Sequence, residues 1–186
     1  MKNASSYGDP VRGARMRTLW LLRHAKASLG RKGLADHERP LNARGRDAAA
    51  RIGRHLAQRA VCPDLALCSS ALRARQTLER VIAALDAEPE IRVESDLYLA
   101  SEGALLRRLE ELPDGASSVL LVGHNPGIGE LAAQLAVRGG SDGVEEVREA
   151  YPTGALAELR LGSQRWRDLA RGCELVAFVT PKQLRA

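Results

Sequence analysis

Three short apolar runs, each cut off by a cationic or hydroxyl-bearing group, constrain the fold of this chain more than any other feature. Leu19-Trp20-Leu21-Leu22 ends in Arg23-His24, and Val119-Leu120-Leu121-Val122 ends in Gly123-His124-Asn125-Pro126. Leu65-Ala66-Leu67-Cys68 ends in Ser69-Ser70, with Arg73 close behind. Four consecutive apolar residues are too few for a helix and show no alternation, so each run reads as a strand buried on both faces. Open α/β sheets place their chemistry at the carboxyl ends of such strands, which makes Arg23, His24, Arg73 and His124 the candidate site.

Amphipathic segments separate these runs. Asn42 is a helix N-cap candidate, followed by Ala48, Ala49, Ile52 and Leu56 at helical spacing and a predicted end near Arg59. Leu78, Val81, Ile82 and Leu85 mark a second helix with Arg73 in its first turn. Ser101 caps a third with Leu105, Leu106, Leu109 and Leu112, and Pro126 opens a fourth with Ile128, Leu131, Ala132 and Leu135. A short edge strand is expected around residues 91–93, and strands at 155–161 and 175–179 enclose a turn region at 162–172. Residues 139–149 are polar and contain glycine, which reads as a surface loop. The predicted fold is a three-layer α/β/α sandwich whose mostly parallel sheet has an antiparallel portion. One domain is expected over residues 18–186, after a polar tail at 1–17 read as disordered; Met16 is a second candidate start of translation.

Composition narrows the function classes. The net charge is +5, carried largely by arginine, which favours anionic partners. Aromatic residues make up only 3%, which argues against stacking platforms for single-stranded nucleic acid. Cys62, Cys68 and Cys173 are odd in number and lack metal-binding spacing, so neither a disulfide framework nor a zinc site is expected. No run approaches the length of a membrane span, the basic start lacks an apolar stretch of signal-peptide type, and the expected compartment is the cytoplasm.

Two imidazoles and two guanidiniums suit phosphoryl transfer. The guanidinium fork matches the charge spread over phosphoryl oxygens and fills the role that magnesium has elsewhere, so no cofactor or metal is required. Neutral imidazole is a competent nucleophile near pH 7, able to form a phosphohistidine that water then hydrolyses. Taken alone, His24 would more often be a satisfied core or strand-end histidine; together with Arg23, Arg73 and His124 it reads as part of a site.

The order of short segments resembles the histidine phosphatase superfamily, also called phosphoglycerate mutase-like. Arg23-His24-Ala25 is similar to its Arg-His-Gly signature, and Pro40-Leu41-Asn42-Ala43-Arg44-Gly45 to its Pro-Leu-Thr-x-x-Gly. The segment Ser69 to Thr77 is similar to its Ser-x-x-x-Arg-Ala-x-Gln-Thr, and Gly123-His124-Asn125-Pro126 to its second histidine motif. The resemblance implies that His24 is the phosphorylated nucleophile and that Arg23, Arg73 and His124 hold phosphoryl oxygens. The short SixA-like phosphohistidine phosphatases are the most similar subgroup, which implies a histidine-phosphorylated protein as substrate; a small-molecule phosphomonoesterase or mutase is the alternative. Ser28, Lys26 and Asn125 are further candidate phosphate contacts, with Ser28 and Lys26 reading equally as residues that close their loop, while Arg44 and Arg75 are either solvated or part of a positive funnel. His37 and His55 read as structural or solvent-facing.

Two departures from the pattern carry meaning. Ala25 stands where the family has glycine, a small change that tightens backbone approach to phosphate. Mutases and ester phosphatases of the family carry an acidic proton donor between the Arg73 and His124 segments. Asp96 and Glu102 are the general-acid candidates there, neither within a copy of that motif. An alkoxide leaving group needs that proton, at a cost of roughly 10²–10⁴-fold without it. The imidazole of phosphohistidine takes its proton near ambient pH, so absence of the acid favours phosphohistidine.

Overall fold

In the computed structural model, described for residues 16–30, 33–139, 141–162 and 165–184, seven strands form one sheet in the order β3-β2-β4-β1-β6-β7-β5. These are β1 (Arg17–Arg23), β2 (Leu65–Ser69), β3 (Glu90–Glu94), β4 (Ser118–Gly123), β5 (Ala136–Gly139), β6 (Leu156–Gly162) and β7 (Cys173–Val179). β1, β4, β2 and β3 are mutually parallel, β6 runs against both β1 and β7, and β5 is parallel to β7. The antiparallel portion is therefore the single strand β6 between parallel neighbours, and the carboxyl ends of β1, β2 and β4 meet at one edge.

Alternation along the strands builds the two cores. Leu19 and Leu21 of β1, Val119 and Leu121 of β4, and Leu65 and Leu67 of β2 point to one face. There they pack on α3 (Glu102–Glu110), α4 (Gly127–Leu135) and α5 (Ser141–Glu149). Trp20, Leu22, Ala66, Cys68, Leu120 and Val122 point to the other, against α1 (Ala43–Gln58) and α2 (Leu72–Ile82). A one-residue slip of any central strand would exchange its two faces, so the register is strongly specified. Trp166 is fully buried and donates its indole N–H to the Ala116 carbonyl at 2.7 Å. Removing such an aromatic surface from water contributes about 4–6 kcal/mol.

The helices begin where local chemistry starts them. Asn42 Oδ1 accepts the Gly45 N–H at 2.8 Å, and α1 ends at a C-cap on Arg59. Ser101 Oγ accepts the Ala104 N–H at 3.3 Å to start α3. Pro126 is the N-cap of α4.

Three elements depart from what the sequence predicts. The predicted loop at 139–149 contains α5, because Val144 packs on the core and Val147 is buried beneath an otherwise polar helix. Its predecessor β5 is a largely exposed edge strand, which leaves almost no apolar signal. The turn region 162–172 holds a 3-10 segment, Trp166–Arg171. The predicted tail at 1–17 runs one residue too far, since β1 begins at Arg17; residues 1–15 lie outside the described residues. Among the described residues no helix is long and apolar enough to cross a membrane.

Candidate active site

Hydrogen bonding across two parallel strands sets the first half of the site. Arg23 is paired in register with Gly123, and the His24 N–H donates to the Gly123 carbonyl at 3.0 Å. The residues that follow β1 and β4 are thereby neighbours, and the His24 and His124 rings lie 5.0 Å apart between centroids. α2 brings the third member: Arg73, in its first turn and 4% exposed, donates from Nε to His24 Nε2 at 3.2 Å and from Nη2 to His124 Nδ1 at 3.4 Å.

These bonds fix the proton on each ring. His24 Nδ1–H donates to the Ala25 carbonyl at 2.8 Å, which leaves the Nε2 lone pair facing Arg73. His124 Nδ1 accepts from Arg73, so its proton lies on Nε2 and is donated to Ser69 Oγ at 2.7 Å. Burial, followed by the Arg73, Arg23 and Arg39 charges, lowers the His24 pKa to about 4 against the opposing Ala25 bond. Burial, then His24 and the same arginines Arg73 and Arg23, lowers His124 to about 3, with Asp36 acting the other way. Both rings are neutral at physiological pH, and Nε2 of His24 is a free base.

Arg23 stands beside this pair. Its Nη1 donates to the Tyr151 carbonyl at 2.7 Å, and its buried Nε–H has no hydrogen-bond partner among the described residues. The Tyr151 hydroxyl donates to the Leu21 carbonyl at 2.6 Å and accepts the Ala157 N–H at 3.0 Å, tying β1 to β6 just behind the site. Burial raises the Tyr151 pKa far above the ordinary range, so it remains a neutral strut. Gly154 closes the wall: its N–H lies 3.1 Å from the Arg23 carbonyl and 3.2 Å from that of His24. Its φ of +79° and the Pro181 Cγ at 2.7 Å from any Cβ leave room only for glycine.

The remaining sequence candidates divide. The Ser28 hydroxyl donates to the Pro40 carbonyl at 3.1 Å, and its own carbonyl accepts from Arg39 Nε and Nη2, so Ser28 closes its loop. Asn125 donates from Nδ2 to the same Tyr151 carbonyl that holds Arg23. Asp96 is exposed and accepts from Ser95 Oγ at 3.2 Å; Glu102 begins α3. Among the described residues, neither has a hydrogen bond or ion pair with His24, Arg73 or His124. The carboxylate that does reach the site is Asp36, from the charged loop after His24: its Oδ2 accepts from Arg73 Nη2 at 3.0 Å and from the Tyr98 hydroxyl at 2.8 Å. The Tyr98 ring stands edge-on to His124 with centroids 5.4 Å apart, and His37 packs edge-on against Tyr98 at 4.9 Å while its Nε2 contacts Ser70 Oγ at 2.8 Å. Asp36, Tyr98 and Ser69 lacked any periodic signal; only Ser69 sat within a motif. Among the described residues no group of three or more His, Cys, Asp or Glu is arranged to hold a metal.

Residues 19–155 match the sequence profile of the histidine phosphatase superfamily (branch 1). An uncharacterised protein of Mycobacterium tuberculosis (strain ATCC 25618 / H37Rv) is 37% identical over 164 residues, which cover 87% of this chain and 100% of the relative. The structure of a protein from Nakamurella multipartitia, provisionally named phosphohistidine phosphatase SixA, is 33% identical with a TM-score of 0.77 over 89% of this chain and 96% of that one. A protein histidine phosphatase SixA complexed with tungstate is 26% identical, with a TM-score of 0.74 over 90% and 99% of the two chains.

Proposed function

This chain belongs to the histidine phosphatase superfamily, and on that premise we propose that it is a metal-independent phosphatase acting through phospho-His24, with histidine-phosphorylated protein as its substrate. The observation that carries the reading is the tautomer of His24. With Nδ1–H committed to the Ala25 carbonyl, Nε2 presents its lone pair beside the Arg73 fork and 5.0 Å, ring to ring, from His124.

A phosphoryl group entering this cup meets donors from Arg73 and Arg23 that spread its charge, the buried Arg23 Nε–H among them. His24 Nε2 attacks phosphorus in line as the bond to the leaving group breaks. The substrate's imidazole, protonated on its other nitrogen near ambient pH, departs as neutral histidine. Phospho-His24 is then an imidazolium whose Nδ1–H remains on the Ala25 carbonyl, and the dianionic phosphoryl group balances its charge. Water adds to phosphorus, the Nε2–P bond breaks, and inorganic phosphate leaves. His24 returns to its starting tautomer with no proton rearrangement on the ring.

What surrounds the cup supports this substrate class. Among the described residues neither Asp96 nor Glu102 is hydrogen-bonded or ion-paired to it, which leaves neither as a ready proton donor to an alkoxide. The relatives at 33% and 26% identity that carry the name SixA support the same class. A cytoplasmic location fits this reading.

The test compares turnover of a phosphohistidine peptide with p-nitrophenyl phosphate and phosphoglycerate, for the wild type and His24→Ala. The expected result is preference for the phosphohistidine peptide, an acid-labile phosphoryl label on the wild type, and loss of both in the variant. Surviving activity in His24→Ala would place the nucleophile elsewhere, and faster turnover of a phosphomonoester would make the protein a small-molecule phosphatase.

A further inference from the structure

The Arg73 guanidinium has two working edges. The inner edge, Nε and Nη2, faces His24 Nε2 at 3.2 Å and His124 Nδ1 at 3.4 Å. The outer edge, Nη1 and Nη2, is held by Asp36: Nη1 donates to the Asp36 carbonyl at 2.6 Å and Nη2 to Asp36 Oδ2 at 3.0 Å. We propose that Asp36 is a positioning residue for phosphoryl transfer, gripping the outer edge of Arg73 so that its inner edge stays aimed at the two imidazoles.

Asp36 is itself held from several sides. Its Oδ1 accepts from Arg39 Nη1 at 2.7 Å, and its Oδ2 accepts from the Tyr98 hydroxyl at 2.8 Å as well as from Arg73. Arg39 is anchored in turn on the Ser28 carbonyl at 3.0 and 2.8 Å. The neck of the loop is tied by the Ser28 N–H to the Pro40 carbonyl, the Asn42 N–H to the Lys26 carbonyl, and a bridge between Ala27 and Leu41. The segment leaving His24 thus returns a carboxylate to the arginine that serves His24. Arg39, ahead of Tyr98 and Arg73, holds the Asp36 carboxyl well below the usual carboxylate range. At neutral pH it has no proton to give, so it acts on the reaction through Arg73 and not as a general acid.

A long arginine side chain carries considerable rotamer freedom, and its fork stabilises transition-state charge only when fixed in advance. Asp36→Asn keeps the shape of the side chain but removes its charge and turns one acceptor into a donor. The role rests on the reading of the cup as a phosphoryl-transfer site, so the test includes an anion-binding arm that needs no turnover. For the wild type, Asp36→Asn, Arg73→Lys and the double variant, kcat and KM are measured on the phosphohistidine peptide. Orthovanadate and inorganic phosphate affinities are measured by calorimetry, and melting temperatures establish folding. Asp36→Asn is expected to lower kcat about 10–100-fold with a smaller change in KM, and to weaken orthovanadate more than phosphate. In the Arg73→Lys background the same change is expected to cost less than about threefold, because its route to the site is already broken. A folded Asp36→Asn enzyme within twofold of the wild type, or losses that multiply in the double variant, would overturn the proposal. A wild type that binds orthovanadate but forms no phosphoenzyme would instead overturn the reading of His24 as nucleophile. Should Asp36→Asn not fold, Tyr98→Phe removes one donor from the same carboxylate and is expected to lower kcat several-fold; an unchanged kcat there is equally contrary.

Discussion

Acidification to about pH 5 should weaken this protein by about 4 kcal/mol through its candidate active site. Folded, the His24 and His124 pKa values are lowered to about 4 and about 3, whereas an unfolded chain holds histidine near 6.5. The unfolded chain therefore binds protons that the folded chain refuses. The contribution of neutral burial is complete above pH 6.5 and is lost as pH falls from there toward 4. At pH 5 the linkage amounts to roughly 2 kcal/mol for each ring, about 4 kcal/mol together, out of the ~5–15 kcal/mol typical of a domain. Asp36 and Asp64, also lowered, add their own loss only at lower pH, below the ordinary carboxylate range. Urea unfolding of the wild type and of a His24→Gln, His124→Gln double variant, each at about pH 7.5 and pH 5, isolates the two rings. The wild type should lose about 4 kcal/mol over that interval, and the double variant less than half of it, with His55 supplying part of the residue. Equal losses in the two proteins would refute the argument that burial among arginines keeps both rings neutral.

Two further outcomes follow from packing. Tyr151→Phe leaves the Leu21 carbonyl and the Ala157 N–H without their shared hydroxyl, and should cost about 1–3 kcal/mol, read as a melting temperature several degrees lower. Gly45→Ala would drive a Cβ into the Lys26 carbonyl, and should cost about 1–3 kcal/mol or more while lowering kcat, because the displaced backbone lies two residues beyond His24; unchanged stability would show that α1 shifts freely.

The sequence revealed those parts of the structure in which burial or capping left a local mark. β1, β2 and β4 are apolar on both faces, and their ends carried Arg23, His24, Ser69 and His124 in plain view. Asn42 and Ser101 cap α1 and α3 as their side-chain chemistry requires. By contrast, α5 has only a narrow apolar stripe, and β5 shows three of its four residues to solvent, so neither imprints a period on the chain. Asp36 was hidden for a different reason. In a run of charged residues a carboxylate is ordinarily solvated, and nothing local distinguishes the one that meets an arginine 37 positions away. Ser28 shows the converse: its proximity to His24 made it a candidate phosphate contact, but its hydroxyl goes to the Pro40 carbonyl. His37, read as structural or solvent-facing, supports the Tyr98 ring at the edge of the site.

Because the two imidazoles both follow the last paired rung of one parallel ladder, Arg23 with Gly123, the span between them is set first by the strand spacing of the sheet. Inserting one residue in β4 would turn His124 to the opposite side altogether. Adjusting the site to larger or smaller substrates therefore falls to the peripheral segments that carry Asp36 and Tyr98, while the anion gauge between β1 and β4 stays constant.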